Sequence, residues 1–210
     1  MTEQGVPHKE QQAIDDILRY WFADIGAGFE VTAQHKLWYS GGPAVDKAIE
    51  RQFGGWVAQA LEGELAAWQA TAQGTLALVI LLDQFTRNIY RGSAQAFAGD
   101  PLAQTLVKQG LRAGLDSQLT AVQRSFFYMP LEHSESIADQ QTCVALFEQL
   151  LGEVPAAGKA TIQSSLDFAL KHRDIIAQFG RFPHRNEALG RGTTAQEQAY
   201  LSGGGARFGQ

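Results

Sequence analysis

The most apolar run in the chain, Leu76-Ala77-Leu78-Val79-Ile80-Leu81-Leu82, passes without a turn signal into Asp83-Gln84-Phe85-Thr86-Arg87-Asn88-Ile89-Tyr90-Arg91-Gly92. A membrane span needs about 20 apolar residues, so a run that meets Asp83 this early belongs to a buried core helix. At about 100° per residue, Leu78, Leu81, Leu82, Phe85 and Ile89 share one side of that helix. Asp83, Gln84, Arg87, Asn88 and Arg91 fall on the other. A core helix that ends in two arginines, two amides and a carboxylate carries either a buried polar network or a binding site.

The same helical period recurs along the chain. Ile14, Ile17, Leu18, Trp21 and Phe22 predict a first helix opening near Pro7 and broken at Gly26-Ala27-Gly28. Trp38-Tyr39-Ser40-Gly41-Gly42-Pro43 reads as a loop. Val45, Ile49, Phe53, Val57 and Leu61 mark a second helix, weakened in the middle by Gly54-Gly55. A short helix around Leu65 and Trp68 is expected to stop near Gly74, ahead of a helix from Leu76 to Tyr90. Asp100-Pro101 reads as a cap and first turn, with that helix running to Gly114. Thr120 opens another, which Pro130 should kink or interrupt. Helices are expected from His133 to Leu151 and from Lys159 to Gln178, with a loop at 152–158, and Thr194-Ala195-Gln196-Glu197 is a capping box. No segment has the alternating period of a strand. The chain is therefore read as all-α, with short loops that make most neighbouring helices antiparallel. Residues 1–202 form a single domain, and 203–210, beyond a triple glycine, form a flexible tail.

Composition narrows the function. A net charge of −5 argues against nucleic acid and anionic membranes as partners. The single cysteine, Cys143, sits in an apolar helical stretch as an inert core thiol and suits a reducing compartment. The start, Met1-Thr2-Glu3-Gln4-Gly5, lacks the basic and apolar pattern of a signal peptide, so a cytoplasmic location is expected. Neither a Walker loop nor a dinucleotide fingerprint is present.

Three polar clusters remain. Asp83 and Arg87 stand four apart in the favourable acid-before-base order, which by itself describes an intrahelical ion pair. Yet from Gln84 to Gly99 there are two arginines and no carboxylate, and arginine's planar fork suits carboxylate or phosphate. In Phe179-Gly180-Arg181-Phe182-Pro183-His184-Arg185-Asn186 through Arg191, three arginines face only Glu187. That loop reads as an anion cradle, or as a connector whose arginines bond the carbonyl ends of helices. Between the two lies His133-Ser134-Glu135, a histidine beside a carboxylate that could serve as general base or share a metal. The zinc-protease spacing HExxH is absent, as is the Pro-Cys-x-x-Cys that follows His-x-Glu in deaminases. A metal site would require His184 or His172 to converge on that pair.

These three segments, with Ala96-Phe97-Ala98, Tyr128-Met129-Pro130-Leu131-Glu132, Gln140 and Leu189-Gly190-Arg191, resemble the DUF924 family of uncharacterised bacterial proteins from about Ile17 to Leu201. Thr86 departs from that pattern, which usually has proline there. The resemblance implies a superhelical array of antiparallel helix pairs, similar to tetratricopeptide-repeat proteins, and implies no reaction.

The expected function is therefore binding of a small anionic ligand or peptide carboxylate through Asp83, Gln84, Arg87, Asn88, Arg91, Arg181, Arg185 and Asn186. The alternatives are a metal-independent hydrolase or lyase using His133, Glu135 and His184, and a purely structural network. The three segments are expected to converge. Arg87 and Arg185 are expected to face an accessible pocket, so that alanine there costs little stability. No metal or cofactor is expected, since arginines repel a divalent cation.

Overall fold

The computed structural model describes residues 6–23, 28–29 and 31–208; Met1 to Gly5 and the expected break at Gly26-Ala27 lie outside them. Among the described residues the regular structure is helical, with no strand. Helix α1 (His8–Phe22) buries Ala13, Ile14, Ile17, Trp21 and Phe22 along one face. The expected loop at Trp38–Pro43 is instead a near-continuous join between α2 (Thr32–Ser40) and α3 (Gly42–Leu61). Gly41 keeps helical dihedrals, and the turn is confined to Gly42 at φ +66°, with Pro43 in the first turn of α3. Gly54-Gly55 does not break α3, whose Ile49, Phe53, Val57 and Ala60 are all buried; tertiary packing outweighs local propensity.

A 3₁₀ turn (Ala66–Ala70) seats Trp68, whose indole N–H donates to Glu10 at 2.7 Å. Gly74 does not stop a helix but lies in the first turn of α4 (Ala72–Val79), where its backbone N–H donates to the Thr71 hydroxyl at 3.0 Å. The expected single helix to Tyr90 is interrupted by a π turn over Ile80–Phe85, after which α5 (Thr86–Ile89) resumes the α form. Thr86 donates its hydroxyl to the Leu82 carbonyl at 2.7 Å, tying the end of the widened turn.

Asp100 does not cap α6 (Asp100–Arg112); Gly99 holds the cap position, and the Asp100 carboxylate is turned to arginines. The Thr120–Gln123 capping box opens α7 (Ala121–Glu132), and Pro130 sits inside it within one turn of its end. His133 is thus the residue that closes α7, and α8 (Ile137–Glu153) begins later than expected. Gln140 explains the corner: its amide donates to the Glu132 and Ser134 carbonyls at 2.5 and 2.7 Å, satisfying groups that α7 leaves open. Then come α9 (Ala156–Phe179), ended by Gly180 at φ +68°, and α10 (Ala195–Ser202) with its Thr194–Glu197 capping box.

The core is aromatic at its centre, where Trp21 meets Phe85 and Phe126 edge-on and Phe53 stacks on Phe85 at 5.0 Å. A smaller cluster of Ile175, Ile176 and Phe182 lies at the far end, and Phe208 packs against it. Within the segment expected to be a flexible tail, Ala206 and Phe208 pack against this cluster, with the Phe208 ring 3.6 Å from the His172 ring. No helix among the described residues is long and apolar enough to cross a membrane.

Candidate functional site

Asp100 joins two of the three clusters. Arg87, reaching it from the helix one side away, donates Nη1 and Nη2 to the Asp100 oxygens at 2.8 and 3.0 Å. Arg185, from a short 3₁₀ turn (Pro183–Arg185), donates Nη1 to Asp100 Oδ2 at 3.2 Å. Its guanidinium lies 4.7 Å from the centre of the Phe97 ring and 4.4 Å from that of Phe182. Both arginines are buried. Both terminal nitrogens of Arg87 are committed within the chain, since Nη1 also meets the Asp83 carbonyl at 2.7 Å and the Asp83 carboxylate at 3.1 Å. In Arg185 the buried Nε has no hydrogen-bond acceptor.

Asp83 links this pair to the histidine cluster. Its Oδ1 lies 2.7 Å from His133 Nδ1, and its Oδ2 accepts from Gln84 at 2.6 Å. Beside His133 stand Glu132 and His172, with Glu132 Oε1 3.2 Å from His172 Nδ1, which also donates to the Phe168 carbonyl at 2.8 Å. Burial opposes ionisation of Asp83, but the charge of Arg87 and the contacts of His133 hold it well below the usual carboxylate range. Glu132 is the reverse case, since burial and then the Asp83 charge push its carboxyl up to about 8. Burial lowers His133 despite Asp83, and takes His172 well below the ordinary imidazole range. His184 is brought down to about 3 by burial and the adjacent Arg185 charge, and its buried Nδ1 also has no partner. Burial thus favours the neutral forms of the three imidazoles and of Glu132, while the Arg87 charge favours the ionised form of Asp83.

The other sequence-derived residues occupy separate positions. Glu135 accepts from Arg191 at 2.7 and 3.0 Å and from the Phe182 backbone N–H at 2.8 Å, so it fastens the arginine loop and does not touch His133. Arg181 forks onto Glu197 at 2.6 and 2.8 Å, and Asn186 bridges Arg191 and Glu197 at 3.0 and 3.3 Å. Asn88 and Arg91 both bond Asp46 of α3, at 2.8 Å for Asn88 and at 2.9 and 3.0 Å for Arg91. The structure thus brings together Asp83, Gln84, Arg87, His133 and Arg185 and assigns Asn88 and Arg91 to the contact with α3.

Two members of the cluster, Glu132 and Asp100, are not among the site residues that the sequence singles out. Asp100 was read as a cap. Glu132 had a legible signal: with Ser125 and Tyr128 it falls on the buried stripe of α7, where a carboxylate needs a reason. Cys143 is fully buried, and burial followed by the Glu132 charge raises its thiol well above the ordinary value, as an inert core thiol should be.

The loop carboxylates predict an acid transition. Glu197 is held at about 2, chiefly by Arg181, and Glu135 is also lowered because the Arg191 bonds outweigh its burial. A carboxylate lowered in the folded state adds stability above its unfolded value, about 4.3 for glutamate, and that stability is lost as pH falls through the folded value. Urea midpoints should therefore drop steeply between about pH 4 and pH 2, and less steeply in Glu197→Gln. An equal slope in the variant would show that this anchor is not the cause.

Over residues 17–205 the chain matches the family described as bacterial protein of unknown function (DUF924). Among solved structures it is similar to that of the protein of unknown function ATU0120 from Agrobacterium tumefaciens. The two share 35% identity over 92% of this chain and 98% of that one, with a TM-score of 0.78. No curated protein matches the chain.

Proposed function

Since the chain belongs to the DUF924 family of bacterial proteins, which fixes its fold and assigns it no reaction, we propose from the site itself that it binds a small anion, a carboxylate or phosphate, at Arg185. One observation carries this reading: a buried guanidinium, within 4.7 Å of the Phe97 ring centre and 4.4 Å of the Phe182 ring centre, keeps an Nε–H with no acceptor. An unmet buried donor costs roughly 1–3 kcal/mol, more on a charged group, and a ligand oxygen removes that cost. Burial and the nearby Arg87 charge bring Arg185 down to about 10, so it remains a cation at neutral pH. The superhelical groove of a tetratricopeptide-like array would suit a peptide terminus, but the depth of Arg185 favours a compact anion. Arg87 contributes by fixing Asp100, which in turn fixes Arg185.

Thermal melts with a panel of inorganic phosphate, phosphate monoesters and small carboxylates test this. At a hundredfold excess over Kd the stabilisation should approach about 2.7 kcal/mol. It should vanish in Arg185→Met and persist in Arg173→Ala, a surface change. A panel without effect on the parent protein, or an effect that survives Arg185→Met, would remove the reading.

A second reading, acid–base chemistry on that anion, is favoured by the 2.7 Å contact between Asp83 and His133. With Nδ1–H held by Asp83, Nε2 is left as the base, in a hydrolase or lyase. Asp83 then takes the orienting role expected of Glu135, because Glu135 is spent on Arg191 and Phe182.

A further inference from the structure

We infer that Glu132, His133 and His172 form a binding site for a divalent transition metal, zinc in the first instance. One donor atom from each of the three lies within 4.8 Å of the others. Ligands about 2.0–2.1 Å from a tetrahedral ion stand roughly 3.4 Å apart, so closure needs side-chain adjustments of about an ångström.

The hydrogen bonds behind the ligands point the same way. The Phe168 carbonyl can only accept, so His172 carries its proton on Nδ1, 2.8 Å away. The Asp83 oxygen 2.7 Å from His133 Nδ1 is also 3.1 Å from the Arg87 guanidinium, a donor, so it too is an acceptor. Both imidazoles are thereby set in one tautomer, with Nε2 bearing the lone pair. A carboxylate or carbonyl behind the far nitrogen is the arrangement that orients metal-bound histidine. Glu132 completes the set. It is buried, and its close ionic neighbour is His172 Nδ1 at 3.2 Å, a proton already given to the Phe168 carbonyl. A buried carboxyl group so weakly served can give up its proton to a metal ion.

Two features answer the objection that arginines repel a divalent ion. Arg87 and Arg185 are neutralised by Asp100, and Arg87 also by Asp83, so their charges are offset where they stand. The stacked Phe208 ring and the edge of Phe182, 5.6 Å from His172, give the cluster an apolar cover that strengthens ligand bonds. Two imidazoles and one carboxylate suit zinc, cobalt or iron(II) better than magnesium or calcium, and they leave a fourth position open.

This inference goes beyond the anion reading and does not depend on it. A metal on His133 Nε2 would take the lone pair that acid–base catalysis there requires, so the same test decides between those two roles. Tag-free protein dialysed against chelator is titrated with zinc by calorimetry and with cobalt by visible absorption. One equivalent should bind, with the intense bands of a four-coordinate cobalt centre. Glu132→Gln, nearly isosteric and checked for fold by circular dichroism, should weaken zinc at least about tenfold, the scale on which even residues supporting a ligand act. His172→Ala should abolish the cobalt bands. Arg185→Met should bind zinc like the parent while losing the anion response, which separates the two readings. Parent protein that binds no stoichiometric zinc or cobalt, or folded Glu132→Gln that binds zinc as tightly as the parent, would overturn the site.

Discussion

Arg87→Ala is expected to lower the unfolding free energy by about 3–5 kcal/mol, the cost of breaking a buried ion pair by removing one partner. From the sequence this change was expected to cost little. The structure reverses that expectation, because the guanidinium is buried and holds both Asp83 and Asp100, whose charges the substitution would leave without their nearest counter-ion. Urea unfolding at neutral pH reads the effect directly. Arg91→Ala breaks a half-exposed contact with Asp46 and should cost no more than about 1 kcal/mol. Asp100→Asn should be less damaging in an Arg87→Met background than alone, because the two residues share one network. Equal costs for Arg87→Ala and Arg91→Ala would mean that the buried pair is not the brace described above.

Gly99→Ala should be nearly as severe, at about 3 kcal/mol, the upper part of the usual range for overpacking. A Cβ on Gly99 would lie 2.2 Å from the Leu82 carbonyl oxygen and 2.9 Å from its carbon. Both sides of this contact are backbone, so no rotamer change relieves it. The Leu82 carbonyl is also fixed by the Thr86 hydroxyl. Any accommodation moves the start of α6 and with it Asp100, so Gly99→Ala should also weaken the anion response at Arg185. Gly92→Ala has an open surrounding and pays only for its φ of +77°, on the order of 1 kcal/mol. Thermal or urea melts of the two variants side by side would expose a misjudged contact if Gly92→Ala proved the more harmful.

Why the fold was legible and the site only partly so follows from the range of the forces involved. Ile14, Ile17 and Trp21, or Ile49, Phe53 and Val57, repeat with the helical period because each helix turns one face to the core. The boxes at Thr120–Gln123 and Thr194–Glu197 are local chemistry, readable within four residues. Asp100 looked equally local, as a cap, but its partners stand 13 and 85 residues away, and no local pattern records that separation. His172 and Glu132 meet across two helices in the same way. Arginines without nearby acids in sequence suggested unspent positive charge, yet Asp46, Asp100, Glu135 and Glu197 reach them from elsewhere in the chain. Sequence separation hid the counter-ions.

The π turn at Ile80–Phe85 frees the length of this stretch from the phase constraint that an even helix carries. Such a turn holds one residue more than the α form, which is what remains when an insertion is absorbed inside a helix instead of being pushed into a loop. Removing any one residue between Ile80 and Phe85 would restore an even helix and leave every apolar side chain of α4 available. The flanks would keep their phase, because the widened turn uses one residue more for about the same rotation. A one-residue deletion here should therefore be tolerated better than one inside α3 or α9, where it would rotate the two parts of the helix by about 100° against each other.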